Sequence, residues 1–208
     1  MIYLYTGTPG SGKSLDAARM IRNQLALKHP VICNFPINEE CVKNPDLFEY
    51  RDNDELTPEY LMQYAKKYFK GSRVKEGAIN LVIDECQMLF NARDWSKPNR
   101  VEWNKFFQVH RHFGYDILLI TQFDSMLDKQ IRALVEYEVK HRCVKNFGIR
   151  GFFVRLMMLS PSLFVKVKVW YPMKEKIDSQ FFRGDKKLFK LYDTFALTFL
   201  DENEDEDT

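Results

Sequence analysis

Eight residues near the start of the chain constrain its fold more than any others. Gly7-Thr8-Pro9-Gly10-Ser11-Gly12-Lys13-Ser14 completes the pattern G-x-x-x-x-G-K-[ST]. Phosphate oxygens need several N–H donors converging on one point, and glycines let a backbone curl around an anion without a Cβ in the way. A helix opening directly afterwards adds the positive end of its dipole. The motif therefore demands a strand before it and a helix after it. Both are legible: Ile2–Thr6 reads as a short buried strand and Ser14–Lys28 as a helix with apolar positions at Leu15, Ala18, Ile21 and Leu25. The candidate phosphate-binding residues are Gly7, Thr8, Pro9, Gly10, Ser11, Gly12, Lys13, Ser14 and Leu15. Lys13 is placed to reach the β- and γ-phosphates, and Ser14 to offer a hydroxyl to Mg²⁺.

The rest of the chain continues the alternation. Pro30–Phe35 reads as a strand, 39–56 as an irregular polar loop, and Pro58–Phe69 as a helix capped by Thr57. Ile79–Asp84 is an apolar strand. Arg100–Phe113 is a helix with an aromatic face of Trp103, Phe106 and Phe107, followed by strand Asp116–Thr121 and a short helix Ser125–Leu134. Strands alternating with helices imply an α/β fold with a mostly parallel central sheet covered on both faces. The pattern then changes: Val135, Tyr137, Val139 and His141 alternate with charged residues, as do Val165, Val167 and Val169. Period-two patterning predicts an antiparallel, β-rich C-terminal extension with one wet face. Residues 1–198 are expected to form one P-loop NTPase domain, and the acidic run 199–208 a disordered tail.

The strand Ile79–Asp84 ends in two acids. A carboxylate at such a tip, behind a complete phosphate loop, fits a Walker B strand, making Asp84 the second candidate Mg²⁺ group beside Ser14. Glu85 is placed to polarise an attacking water as general base. The strand that follows ends in Thr121-Gln122, and Gln122 is a candidate γ-phosphate sensor. Guanine recognition by an N-K-x-D segment fails at Asn104-Lys105-Phe106-Phe107, which points to ATP over GTP. Among arginines able to stabilise transition-state charge across a subunit boundary, Arg111 ranks first, with Arg100 and Arg93 behind it. Otherwise Arg111 reads as a solvated arginine or one pairing with a helix C-terminus.

Composition excludes several classes. The net charge is +2, from 31 basic and 29 acidic residues, so no bulk field draws the chain to nucleic acid or anionic lipid. Cys33, Cys41, Cys86 and Cys143 make no C-x-x-C pair and the four histidines extend no cysteine cluster, which argues against zinc sites and disulfide frameworks. No stretch approaches the ~18 apolar residues of a spanning helix. Aromatic residues make up 14%, mostly at apolar positions, and are read as core rather than as a stacking surface.

Taken together, the segments Ile2–Ser14, Leu81–Gln87, His110-Arg111-His112-Phe113-Gly114-Tyr115-Asp116-Ile117, Thr121-Gln122 and Lys190-Leu191-Tyr192-Asp193-Thr194 resemble the zonular occludens toxin family, which includes the gene I proteins of filamentous phages. The resemblance implies an oligomeric, ring-forming ATPase, with ATP and Mg²⁺ as ligands. It would drive filamentous phage assembly and export at the cytoplasmic face of the bacterial inner membrane. Coat and assembly proteins, and phage single-stranded DNA, would be its partners. The family carries a membrane helix after this domain; here the chain stops at an acidic tail, so membrane association is expected through a segment absent from it or through a partner. Two alternatives remain: a DNA-translocating or packaging ATPase, and a nucleotide-dependent assembly scaffold that does not hydrolyse.

Overall fold

A computed structural model describes residues 1–92, 100–147 and 162–192. Arg93, Asp193, Thr194, the domain boundary at 198 and the acidic tail lie outside them.

The chain begins with β1 (Ile2–Thr6), the phosphate loop and α1 (Lys13–Ala26), then β2 (Val31–Cys33), β3 (Phe48–Tyr50), α2 (Pro58–Tyr68) and β4 (Ile79–Ile83). It continues through α3 (Arg100–Val109), β5 (Tyr115–Ile120), α4 (Lys129–Ala133), β6 (Tyr137–Cys143), β7 (Leu163–Trp170), β8 (Glu175–Arg183) and a closing helix, Lys186–Leu191. All eight strands join one sheet in the order β3-β2-β4-β5-β1-β6-β7-β8. The six strands from β3 to β6 are mutually parallel, while β7 and β8 run antiparallel.

Side chains alternate across a strand, so each central strand feeds two cores. Ile2 and Leu4 of β1 join Leu81, Ile83, Ile117 and Leu119 under α2 and α3. Tyr5 of the same strand joins Val82, Leu118 and Ile120 under Ala17, Ile21 and Leu25 of α1. Those α1 residues recur every four positions, so one helical face is buried. The aromatic face of α3 is core: Phe90 meets Trp103 and Phe107 edge-on at 5.0 and 5.4 Å. Edge-to-face pairs of this kind contribute ~1 kcal/mol beyond the area they bury.

Four local expectations are corrected. The polar loop 39–56 contains β3, a three-residue edge strand too short to show any period. The helix expected through residue 113 tightens to a 3-10 turn at His110–Phe113 and ends at Gly114, whose φ of +77° an L side chain rarely adopts. The helix expected over 125–134 divides into a 3-10 turn, Asp124–Met126, and α4, because Asp128 accepts from the Gln130 and Ile131 amides and starts a new cap. Finally, β6 carries the alternation of a half-wet strand yet pairs parallel with β1, and only its far edge is antiparallel, to β7.

Candidate nucleotide site

The loop after β1 turns around three glycines with positive φ: Gly7 (147°), Gly10 (70°) and Gly12 (95°). Two are also sterically required. A Cβ on Gly7 would lie 2.5 Å from the His141 carbonyl oxygen and 2.6 Å from Ser11 Oγ. On Gly12 it would lie 2.8 Å from the Phe164 ring. Gly12 is the N-cap of α1 and has no side chain to satisfy the first helical amides, so they are left for an anion. Ser11 Oγ is buried without a hydrogen-bond partner, a polar atom aimed into the same cradle.

Lys13 is 8% exposed, and its Nζ donates to the Gly7 carbonyl at 2.7 Å and the Thr8 carbonyl at 3.3 Å. Burial pulls its pKa down, while the charges of Asp84 and Glu85 oppose that shift. The tip of β4 therefore lies within electrostatic reach of the loop, although β5 separates β4 from β1. Asp84 is held on every side. Its backbone N–H donates to Asn34 Oδ1 at 2.7 Å, and Asn34 Nδ2 returns a bond to its carbonyl at 2.9 Å. Its carboxylate accepts from the Glu85 amide at 2.8 Å and from the Tyr192 hydroxyl at 2.7 Å. Burial raises the Asp84 pKa; the Tyr192 and Glu85 bonds pull it back without cancelling the rise. Ser14 lies beside Tyr192 and acts to lower the phenol's pKa, so one phenol borders both residues expected to face a metal. These two groups are hard oxygen donors of the kind Mg²⁺ takes, one or two at a time beside phosphate oxygens. Among the described residues no cluster of three or more His, Cys, Asp or Glu is built to hold a metal by itself.

Glu85 adopts the left-handed conformation, φ 44° and ψ 44°, which costs a non-glycine residue ~1 kcal/mol. Its carboxylate accepts a hydrogen bond from the Gln87 side chain. Gln122 follows β5, the strand between the two motifs, and its carbonyl accepts from the Gly7 amide at 3.1 Å. Gln122 borders a cleft of about 490 Å³ shared with Gly7, Thr8, Glu138, Lys140 and Arg142.

The arginine candidates lie elsewhere. Arg111 precedes β5, so it sits at the opposite end of the parallel sheet from the loop, and its guanidinium pairs with Glu136 at 2.7 Å. Any role across a subunit boundary would have to break that pair. Arg100 pairs with the buried Asp128.

Sequence reasoning missed a second layer. Asp16, 2% exposed in the first turn of α1, accepts from Lys166 Nζ at 2.9 Å and faces His141 Nε2 at 3.1 Å. Burial works to raise its pKa, but the His141 bond and the Lys166 charge outweigh it and hold the carboxyl below its ordinary value. This cluster fastens α1 to β6 and β7 directly beneath the loop. An acid flanked by the buried Leu15, Ala17 and Ala18 was the available signal. Tyr192 and Asn34 carried none.

The model of one family, zonular occludens toxin (Zot), matches residues 1–197. The chain belongs to the zonular occludens toxin family. Among curated relatives, the gene 1 protein of Enterobacteria phage I2-2 is 30% identical over 93% of this chain and 56% of its own length. The chain spans about half the length of the curated relatives it matches. The solved N-terminal domain of zonular occludens toxin from Neisseria meningitidis superposes with a TM-score of 0.56 at 21% identity, covering 92% of this chain and 98% of that one. B204, the DNA-packaging ATPase of Sulfolobus turreted icosahedral virus, gives 0.55 at 17% identity over 88% and 97%. These likenesses establish the P-loop NTPase fold. Among the described residues of this Zot-family chain, no helix is long and apolar enough to cross a membrane.

Proposed function

We propose that this Zot-family domain binds and hydrolyses ATP with Mg²⁺, and that turnover drives filamentous phage assembly and export at the inner membrane. The observation that carries the reading is the convergence of Lys13, Ser14, Asp84 and Glu85 on one glycine cradle. The loop amides and Lys13 would bind the phosphates, and Ser14 and Asp84 would hold the metal. A Mg²⁺ ion held by these two residues would supply charge neutralisation at the phosphates. Glu85, one residue beyond Asp84, would take the proton of the attacking water, and Gln122 would report the γ-phosphate to β5. Membership of the Zot family and the likeness to a phage gene 1 protein support the assembly role. Coat protein and phage DNA as cargo, a homo-oligomeric ring and a cytoplasmic position at the membrane belong to the same proposal.

The test is ATP turnover per chain against protein concentration, beside Glu85→Gln. The substitution should leave ATP binding intact and lower turnover at least ~100-fold, the scale of a lost general base. Wild-type turnover in Glu85→Gln removes Glu85 as the base. A steep rise of turnover with concentration supports sites shared between subunits.

A further inference from the structure

Beside the loop lies a cavity of about 250 Å³, lined by Gly10–Leu15 on one side and by Phe164, Leu188, Phe189 and Tyr192 on the other. It is continuous with the phosphate cradle. It falls at or just below the ~300–1,000 Å³ of whole small-molecule sites, which suits a part of a ligand rather than all of it. Its far wall is apolar and aromatic. A second cleft touching the loop also carries rings, Phe123 and Phe147, but sets them among the charged Asp124, Glu138, Lys140 and Arg142. A nucleotide has one part that seeks apolar contact, the flat face of its base.

The rings on that wall differ in what holds them. Phe164 is buried and stacks on Phe182 with centroids 5.3 Å apart. Tyr192 is fixed at its hydroxyl by Asp84 and packs edge-on against Phe35 at 4.9 Å. Phe189 is 49% exposed, a large ring turned to the cavity with half its surface left to water. Stacking on a base would cover it. Among the described residues lining this cavity, no amide or carboxylate side chain is present to read a base edge. Stacking without edge contacts tolerates any base, because every base has a π-face. Hydrogen-bonded readout is what enforces strong discrimination.

We infer that this cavity is the nucleoside subsite, that Phe189 is its stacking platform, and that it takes adenine and guanine nucleotides alike. This deepens the ATPase reading and rests on it. It replaces the preference for ATP over GTP that the missing N-K-x-D segment suggested.

The experiment compares the affinities of ATP, GTP and inorganic tripolyphosphate for the full chain, measured by calorimetry with Mg²⁺, in wild type, Phe189→Ala and Phe189→Tyr. ATP and GTP should agree within about threefold, and both should bind at least about tenfold tighter than tripolyphosphate. Phe189→Ala should weaken both nucleotides about tenfold and leave tripolyphosphate unmoved, while Phe189→Tyr keeps the wild-type values. ATP binding no tighter than tripolyphosphate, equal weakening of all three ligands in Phe189→Ala, or a thirtyfold preference for one purine would each overturn the subsite. Loss of tripolyphosphate binding only in Lys13→Ala confirms the phosphate site separately. If neither tripolyphosphate nor nucleotide binds wild type, the phosphate site itself falls and the subsite with it.

Discussion

The Tyr192 hydroxyl donates a 2.7 Å hydrogen bond to Asp84 Oδ2, tying the segment after the closing helix to the tip of β4. The two residues are 108 positions apart, and Ser14 meets the same phenol. One phenol thus bonds Asp84 and borders Ser14, the two proposed metal-facing groups. Removing the hydroxyl in Tyr192→Phe frees them while keeping the ring. A net hydrogen bond contributes ~1 kcal/mol. Tyr192→Phe should therefore melt slightly earlier, yet bind Mg–ATP about fivefold tighter. Titration calorimetry decides it; weaker Mg–ATP binding would show that the phenol supports the metal-facing pair instead of competing for it.

Gly12 and Gly10 both have positive φ, but only Gly12 faces a wall. A Cβ there meets Phe164 at 2.8 Å and Phe182 at 3.2 Å, whereas one on Gly10 meets nothing within 4 Å. Gly10→Ala should cost only the backbone strain, ~1 kcal/mol. Gly12→Ala adds overpacking against two stacked, buried rings and should cost ~3 kcal/mol. Urea denaturation separates them; equal losses would contradict the packing of β7 and β8 against the loop.

Lys166 and His141 share the Asp16 carboxylate beneath the loop. Breaking a buried pair by removing one partner costs ~3 kcal/mol, because the other charge is stranded. Asp16→Asn should destabilise by about that amount and weaken nucleotide binding by loosening α1. A loss below ~0.5 kcal/mol, typical of surface changes, would contradict it.

The Arg111–Glu136 pair fixes a pH dependence. Burial works to raise the Glu136 pKa, but the Arg111 hydrogen bond and charge hold it below its ordinary 4.5. A depressed carboxylate stabilises the fold above the unfolded pKa and loses that contribution as pH falls through the folded one. Both side chains are partly exposed, so solvent screening limits the pair to ~0.5 kcal/mol. Arg111→Ala should lose about that at pH 7 and less at pH 3. Chemical denaturation at the two values checks it; an equal loss at both would mean that the pair contributes nothing.

What could be read from the sequence was whatever a local pattern enforces. Glycine spacing marked the loop, and an apolar run ending in acid marked Asp84. The alternation of strands and helices gave the parallel sheet. What escaped had no period. β3 spans three residues, and β8 is exposed along nearly all its length, so neither alternates. β6 looked antiparallel because its outer residues are charged, yet its position beside β1 is set by topology. Tyr192 and Asn34 reach Asp84 across 108 and 50 positions, through the fold alone. Arg111 was legible as a helix-end cation, but its pairing with Glu136, 25 positions on, comes from the fold alone.

The central claim is that the glycine cradle, Lys13 and the Ser14–Asp84 pair form one Mg–nucleotide site. Calorimetric titration of ATP into wild type and Lys13→Ala, each with Mg²⁺ and with chelator, tests it most directly. The account requires wild-type binding that tightens at least about tenfold with Mg²⁺ and is lost in Lys13→Ala. Binding that is indifferent to Mg²⁺, or that survives in Lys13→Ala, would contradict it.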